Sequence, residues 1–420
     1  MFKFIHTADI HLDSPLRGLP EYPGAPVEVE EIRKASREAF DRLVSLAIEE
    51  KVQLVLIAGD LYDGDWPDFN TGLYLAQQMT RLREAEIRVV IARGNHDAAS
   101  RITRNLKLPD NVTQLPDRGP GTVIFEDLGV AVHGQGFAER HVSENVALNY
   151  PAARTDLFNI GMLHTNAGRG GHDPYAPCSV QDLLSRGYQY WALGHIHKRE
   201  LISSDPWVCF PGNLQGRHIQ ETGSKGCLLV TVEDGVAKVQ ERDLEVVRWE
   251  VCRVESEGCR DGYEVLERLR SQLLELLDGC PSSVSALAVR MVVAGDSPAR
   301  SEFLADPVRW TNEARQAATD TEAGRVWLEK VEVEPLSVEP ALLEKTVTDN
   351  QALDLLQRSD LNTDSLEALR GDAALQNLLS KLPPELREDG LELTDERLFQ
   401  AASRARGLLL GRLATGGDAQ

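Results

Sequence analysis

Short apolar runs recur through the first 245 residues, and nearly all stop at a glycine or a polar residue. Val52–Ala58, Ile87–Ala92, Leu157–Leu163 and Tyr188–Leu193 are too short for buried helices and read as buried strands. Val123–Phe125 with Val130–His133, and Val208–Phe210 with Cys227–Val232, read as further strands, the last ones antiparallel. Met1–Ile5 opens the chain as another. Ile32–Glu50 and Thr71–Glu84 place apolar residues at helical spacing, which predicts amphipathic helices between strands. Strands and helices that alternate, with both strand directions, predict a layered α/β domain over residues 1–245.

The pattern then changes. Val246–Val254, Val284–Val293 and Arg325–Val333 read as three strands of a small α/β unit, residues 246–334. Val265, Leu266, Leu269, Leu273 and Leu276 mark one face of a helix between the first two. Pro335 and Pro340 punctuate the next boundary, and residues 335–420 read as helical. There Leu398, Ala402, Ala405 and Leu409 form one apolar face, with Thr394 as the expected N-cap and Asp395 and Glu396 in the first turn.

Composition narrows the picture. A chain of 420 residues suits two or three domains, and 42% hydrophobic content suits a globular core. No apolar run reaches the roughly 18 residues of a membrane span. A strand at the very N-terminus leaves no room for a signal peptide, so a cytoplasmic location is expected. Cys178, Cys209, Cys227, Cys252, Cys259 and Cys280 form no CxxC pair and read as scattered thiols. The net charge of −21 argues against a protein that grips nucleic acid unaided.

The ends of the apolar runs carry the chemistry. Asp9-Ile10-His11, Gly59-Asp60, Gly94-Asn95-His96-Asp97, His164 and Gly194-His195-Ile196-His197 follow strands in that order. Side chains one residue apart on an extended segment point the same way, so Asp9 with His11, and His195 with His197, can share or address adjacent ions. Asp60 has two oxygens and can bridge. Asn95 offers a neutral carbonyl oxygen. His96 can donate a proton without ligating metal. Asp97 is expected to orient an imidazole. Each motif alone has a bland reading as a helix cap or polar turn, and only the ordered set makes a two-metal site compelling. Two ions about 3.5–4 Å apart are the clamp used to hydrolyse phosphate esters. His6 reads as core, His133 as a residue that can line the site, and His141, His172 and His218 as loop. Arg93, Arg101, Arg104, Lys107, Arg169, Lys198, Arg199 and Arg217 read equally as phosphate contacts or as a solvated face.

The motif order resembles that of the calcineurin-like metallophosphoesterases. Within them, Phe4–Asp13 and Gly59–Asp63 resemble the Mre11/SbcD class of DNA repair exonucleases, and Tyr62–Leu75 and Pro211–His218 are most similar to its bacterial YhaO-type branch. The likeness is specific over about residues 1–250 and general beyond. It implies a four-layer α-β-β-α sandwich, a small α/β capping domain over 246–334 and a helical region over 335–420. It implies Asp9, His11 and His197 at a first metal, Asp60 as bridge, and Asn95, His164 and His195 at a second. His96 becomes the catalytic histidine, with Asp63 where archaeal and eukaryotic relatives carry a second histidine. Two manganese ions are the implied cofactors. The implied partners are DNA, contacted by Arg93, Arg101 and Arg217, and a Rad50/SbcC-like coiled-coil ATPase bound by the helical region; a homodimer is compatible. Two other readings share the motifs. One is a phosphatase or nucleotide phosphodiesterase. The other is a non-catalytic scaffold for the ATPase, disfavoured by the intact ligand set.

Overall fold

The computed structural model describes residues 1–14, 34–62, 70–99, 107–168, 175–321, 325–334 and 363–381, with a few isolated positions besides. The chain divides into two compact units, residues 1–250 with 280–288, and residues 251–279 with 289–420.

In the first unit the apolar runs become strands of two sheets. The first sheet uses β1 (Phe2–Thr7), β2 (Leu54–Ala58), β3 (Arg88–Ala92) and β4 (Val112–Gln114), with β11 (Gly226–Glu233) and β12 (Val236–Asp243), in the order β12-β11-β1-β2-β3-β4. The second uses β5 (Gly121–Phe125), β6 (Val130–Gly134), β7 (Phe158–His164), β8 (Tyr190–Gly194), β9 (Glu200–Ser204) and β10 (Trp207–Phe210), in the order β5-β6-β7-β8-β10-β9. β1, β2 and β3 run parallel, as do β6, β7 and β8. Every residue of β2 and β7 is buried, as expected for central parallel strands covered on both faces.

Period-two alternation decides what each face meets. Phe4, Leu54, Leu56, Val90 and Ala92 join Val130, Val132, Ile160, Met162, Tyr190 and Ala192 in one core between the sheets. Leu56→Ala or Ile160→Ala there would cost about 2–5 kcal/mol. Helix α1 (Ala35–Glu49) packs against β11 and α2 (Asn70–Glu84) against β3, covering the outer face of the first sheet. Leu163, Trp191, Leu193, Val208 and Phe210 instead face outward from the second sheet and pack with Phe137, Tyr150 and Leu183, the last from a one-turn helix. The order is helix, sheet, sheet and a second covering layer, the mixed α/β architecture expected.

The last strands do take antiparallel partners, though not each other. Val208–Phe210 and Cys227–Val232 belong to different sheets. β10 takes β8 as a parallel and β9 as an antiparallel partner, while β11 runs antiparallel to β1 and β12. The chain between β10 and β11 crosses from one sheet to the other.

A third sheet uses β13 (Val247–Glu255), β14 (Ala286–Ala294) and β15 (Val326–Val333), in that order; the first residues of β13 and β14 fall in the first unit, and the rest of the sheet belongs to the second together with a 17-residue helix, Gly262–Asp278. Asp261 caps that helix through the Glu264 N–H. Its buried face is Val265, Leu266, Leu269, Leu273 and Leu277, with Leu276 only half-buried. The 3.6-residue period carries the stripe from Leu273 to the i+4 position rather than i+3. Helices Pro298–Ala305, Pro307–Thr319, Thr363–Gly371 and Ala373–Ser380 follow. Leu398 is buried, while Thr394 and Leu409 lie outside the described residues. None of the six cysteines, all of them described, is in a disulfide. No helix among the described residues is long and apolar enough to cross a membrane.

Candidate metal centre

The carboxyl ends of β1, β2 and β3 in one sheet and of β7 and β8 in the other deliver polar side chains to a common edge. β1 leads to Asp9 and His11, β2 to Asp60, and β3 to a short helix, Asn95–Ala99. β7 ends on His164, and β8 leads to His195 and His197.

The chain bends sharply to make this possible. Asp9, His11 and Asp60 have φ of 50°, 44° and 50°, and His195 has φ of 101°, a left-handed region that costs a non-glycine residue of order 1–3 kcal/mol. Backbone bonds hold the bends: Asp9 N–H donates to Gly59 O at 3.0 Å and His11 N–H to Asp60 O at 3.0 Å. Two glycines make room. A Cβ on Gly59, itself at φ +97°, would meet His164 Nδ1 at 2.3 Å, and one on Gly94 would meet Asp60 Oδ1 at 2.2 Å. Gly94→Ala should therefore displace the Asp60 carboxylate and weaken divalent-metal binding, at a stability cost of about 1–3 kcal/mol. Metal titration with thermal melting checks it, and wild-type affinity in the variant would show that the carboxylate is not displaced.

Two triads converge. The ligand atoms of Asp9, His11 and His197 lie within 4.8 Å of one another, and so do those of Asp9, Asp60 and His164. Asp9 is common to both. Asn95 Oδ1 stands 2.9 Å from His164 Nε2, which is also 3.3 Å from Asp60 Oδ2. His195 donates its backbone N–H to Asp9, at 2.9 Å to Oδ2, and its ring lies 5.2 Å from that of His164. His11 Nε2 and His197 Nε2 face each other at 3.2 Å. All seven expected ligands thus occupy one cluster. The His96 ring stands 5.0 Å from the His11 ring, while its backbone N–H donates to Asp60 Oδ1 at 2.9 Å.

Almost everything here is buried, which controls the charges. Burial lifts the Asp9 carboxyl above its ordinary value and drives the His11 imidazole well below its own, the latter helped by Arg217 and His96. Burial opposes ionisation of Asp60, but His164 and His96 outweigh it and hold this carboxyl well below the usual range. Burial alone would lower His164; the Asp60 and Asp9 carboxylates reverse that and raise it from 6.5 to about 9. A divalent ion needs the neutral imidazole, so binding must expel that proton. Metal affinity should rise with pH by up to about tenfold per unit as far as pH 9 and then level off. Calorimetry in buffers of different ionisation heat measures the proton release; an affinity flat from pH 6.5 to 9 would contradict a protonated His164.

The donor set fits divalent cations. Two carboxylates, one amide oxygen and four imidazoles mix hard oxygen with nitrogen, a combination suited to manganese, iron or zinc. No thiol joins the described cluster.

Several expectations come out differently. Asp97 does not orient an imidazole. It accepts backbone N–H groups of Leu61 at 3.2 Å, Tyr62 at 3.0 Å and Gly94 at 3.0 Å, so it ties the β2 and β3 loops together. Three fixed donors fit a carboxylate better than one movable ring. Burial and Asp60 lift it to about 6. His133 is not at the centre: it bonds Thr122 and Asn159 and stacks on Tyr188 at 4.6 Å. His6, by contrast, is core as expected, held by Tyr190 OH and Leu193 O, with its pKa lowered by burial to about 3. Arg93 pairs with Asp117 at 2.7 Å, and Arg199 with Asp243 at 2.9 Å. Lys107 and Lys198 are exposed. Asp63, Arg101, Arg104, Arg169 and His172 lie outside the described residues.

One residue escapes sequence reasoning. Glu221 accepts from His197 Nδ1 at 2.7 Å and lies 24 positions away. Burial works against its charge, but Arg217, His197 and His218 hold it well below the ordinary glutamate value. No spacing rule points to it; an acid closing the glycine- and amide-rich stretch Pro211–Arg217 is the only cue.

Residues 2–199 match the calcineurin-like phosphoesterase family, and residues 249–335 match the middle domain of metallophosphoesterase YhaO. A Bacillus subtilis (strain 168) protein, described as uncharacterized metallophosphoesterase YhaO, is 34% identical over 326 residues, 76% of this chain and 78% of that protein. The chain is a calcineurin-like metallophosphoesterase. This metallophosphoesterase is also similar to a dimetal phosphatase from Danio rerio, at 16% identity and a TM-score of 0.36 over 58% of this chain and 96% of that one. Membership makes it a phosphoesterase of a family that uses divalent metals, and the two triads are the candidate metal site.

Proposed function

We propose that the chain is a two-metal-dependent phosphodiester hydrolase that degrades DNA from its ends, as the nuclease subunit beside a Rad50/SbcC-like coiled-coil ATPase. The observation that carries the hydrolase reading is the pair of triads sharing Asp9, with the His96 ring beside them. In this reading Asp9, His11 and His197 would hold one manganese ion, Asn95, His164 and His195 would hold the other, and Asp60 would serve both. Bound ions supply Lewis acidity at the phosphoryl oxygens. The protein does the rest. Asp60 fixes the backbone of His96, whose ring donates a proton toward the phosphate or its leaving oxygen. The Ala58 carbonyl, 3.0 Å from Nδ1, fixes the ring of His164 and leaves Nε2 toward the cluster. Asp63 is the proposed acidic companion of His96.

The DNA reading rests on the likeness of Phe4–Asp13 and Gly59–Asp63 to repair exonucleases. Arg93, Arg101 and Arg217 are the proposed phosphate contacts. Arg93 would have to exchange Asp117 for phosphate. With a net charge of −21, much of the DNA grip is assigned to the partner, which would dock on residues 335–420. Residues 365–377, the described side chains of helices Thr363–Gly371 and Ala373–Ser380 in that region, are largely exposed apart from Leu366.

Linear duplex, closed circular and single-stranded DNA, an aryl phosphodiester and an aryl phosphomonoester, each offered with manganese and with and without the ATPase, test this. Digestion of linear DNA that falls steeply with salt is expected. Robust phosphomonoesterase activity with intact DNA, partner present, would replace the reading with a phosphatase.

A further inference from the structure

Around His197 the chain builds a second polar cluster that the metal ligands do not explain. Its centre is Glu221, only 7% exposed. One oxygen, Oε1, accepts from His197 Nδ1 at 2.7 Å and from an Arg217 guanidinium nitrogen at 3.2 Å, and lies 3.6 Å from His218 Nε2. The other, Oε2, accepts the Arg217 backbone N–H at 2.7 Å and Asn213 Nδ2 at 2.9 Å. The same guanidinium nitrogen is 3.4 Å from His197 Nδ1.

The loop is held from behind. Gln215 Oε1 accepts the N–H of Val246 at 2.8 Å, its Nε2 donates to Val247 O at 2.7 Å, and Trp249 Nε1 donates to Gly216 O at 2.9 Å. A Cβ on Gly216 would meet Glu221 O at 2.8 Å. Glu221 and Arg217 are therefore fixed in relation to His197.

We propose that Glu221 is a positioning residue for the metal centre, which at once orients His197 for ligation and presents the Arg217 guanidinium to a phosphate group of the substrate held there. The proposal rests on the hydrolase reading for its substrate. Each half follows from the bonds. A carboxylate at Nδ1 makes that nitrogen the donor and leaves the Nε2 lone pair aimed at His11, the tautomer a metal needs. The same carboxylate pins a side chain that would otherwise lose much rotamer entropy on binding substrate. A guanidinium 3.4 Å from a ligating imidazole is close enough to reach an oxygen of a phosphate seated on that ligand's ion, and its planar fork suits two oxygens.

The test uses the full chain with Glu221→Gln, Glu221→Asp, Arg217→Ala and the double variant Glu221→Gln/Arg217→Ala. Calorimetry reads manganese affinity first, then inorganic phosphate binding to the loaded protein; neither needs turnover. Glu221→Gln should weaken manganese by about 10–100-fold. Arg217→Ala should not weaken manganese affinity, since it removes a cation beside the ligands, and should weaken phosphate by on the order of tenfold. The double variant should bind phosphate no worse than Arg217→Ala, because Glu221 acts there through Arg217. Glu221→Asp, which keeps the charge, should recover part of both. Should Glu221→Gln fail to fold, the Arg217→Ala pair of affinities decides. Unchanged manganese affinity in Glu221→Gln, unchanged phosphate affinity in Arg217→Ala, or additive phosphate losses would overturn the proposal. Absence of phosphodiester hydrolysis in the wild type, with both affinities behaving as expected, would count against the hydrolase reading alone.

Discussion

Asp60→Ala will leave the protein with less than one tightly bound divalent ion per chain. Asp60 sits where charge from both triads meets, and His164, His96 and His11 all bear on its carboxylate. Its Oδ2 is 3.3 Å from His164 Nε2, and its Oδ1 carries the His96 N–H. Alanine removes a ligand of one triad, the one proposed to reach the other ion as well, and leaves a void in a wholly buried place. It also withdraws most of what keeps His164 protonated, so burial should return that imidazole to neutrality. The metal-free variant loses the stabilisation that a raised His164 supplies. That stabilisation is fully present below pH 6.5 and fades as pH rises through about 9 in the wild type, so the destabilisation should show at pH 6 and shrink toward pH 9. Asp60→Asn separates charge from shape, since an amide oxygen can still accept from His96. Asp9→Ala should match Asp60→Ala in metal content, because Asp9 belongs to both triads. Elemental analysis after exhaustive dialysis decides it. Two ions retained in Asp60→Ala would remove that residue from the bridging role.

How much of this could be read from the chain depends on the range of the interaction. Strand ends are local: Leu54–Ala58 is apolar throughout, so its end at Gly59 and the polar Asp60 beyond were visible without any partner. A one-residue spacing such as His195 to His197 is local too. The partners of those residues are not. Glu221 reaches His197 only because β10, the loop after it and the turn before β11 fold back across the site, and nothing in spacing anticipates that return. Asp97 was misjudged for a related reason. The tetrapeptide Gly94–Asp97 reads as a polar turn, but Asn95 begins a short helix, which swings the carboxylate toward the N–H groups of Leu61 and Tyr62 instead of toward a ring. Arg93 shows the same limit, because a cation beside a site motif in sequence can be spent on an acid such as Asp117 in space. The path of the two sheets, with β10 and β11 apart, was equally hidden, since adjacency in sequence is a weak guide to pairing when a chain changes sheets.

His96→Ala separates ligation from catalysis and should do so sharply. The tie between His96 and Asp60 runs through the backbone N–H, which alanine keeps. Neither triad includes the His96 side chain. Removing the ring should therefore leave two ions bound with near-wild-type affinity. The ring's charge acts in opposite senses on the two neighbouring ligands, against a charged His11 and in favour of an ionised Asp60, so its loss changes the site's charge balance little. Turnover is another matter. The ring is half-buried and stands 5.0 Å from the His11 ring, beside the ligands on which a phosphate would be held. A proton donor placed there contributes about 10²–10⁴-fold to a phosphoryl displacement, and a methyl group contributes nothing. The expected signature is a loss of that size in kcat, little change in KM, and disappearance of the limb of the pH profile that reports the general acid. His96→Gln, which can donate a hydrogen bond but not a proton, should recover little. The paired measurement is metal content against turnover on an aryl phosphodiester. Normal turnover in a metal-replete His96→Ala protein would take the proton donor away from His96, and a protein stripped of metal would make His96 a ligand instead.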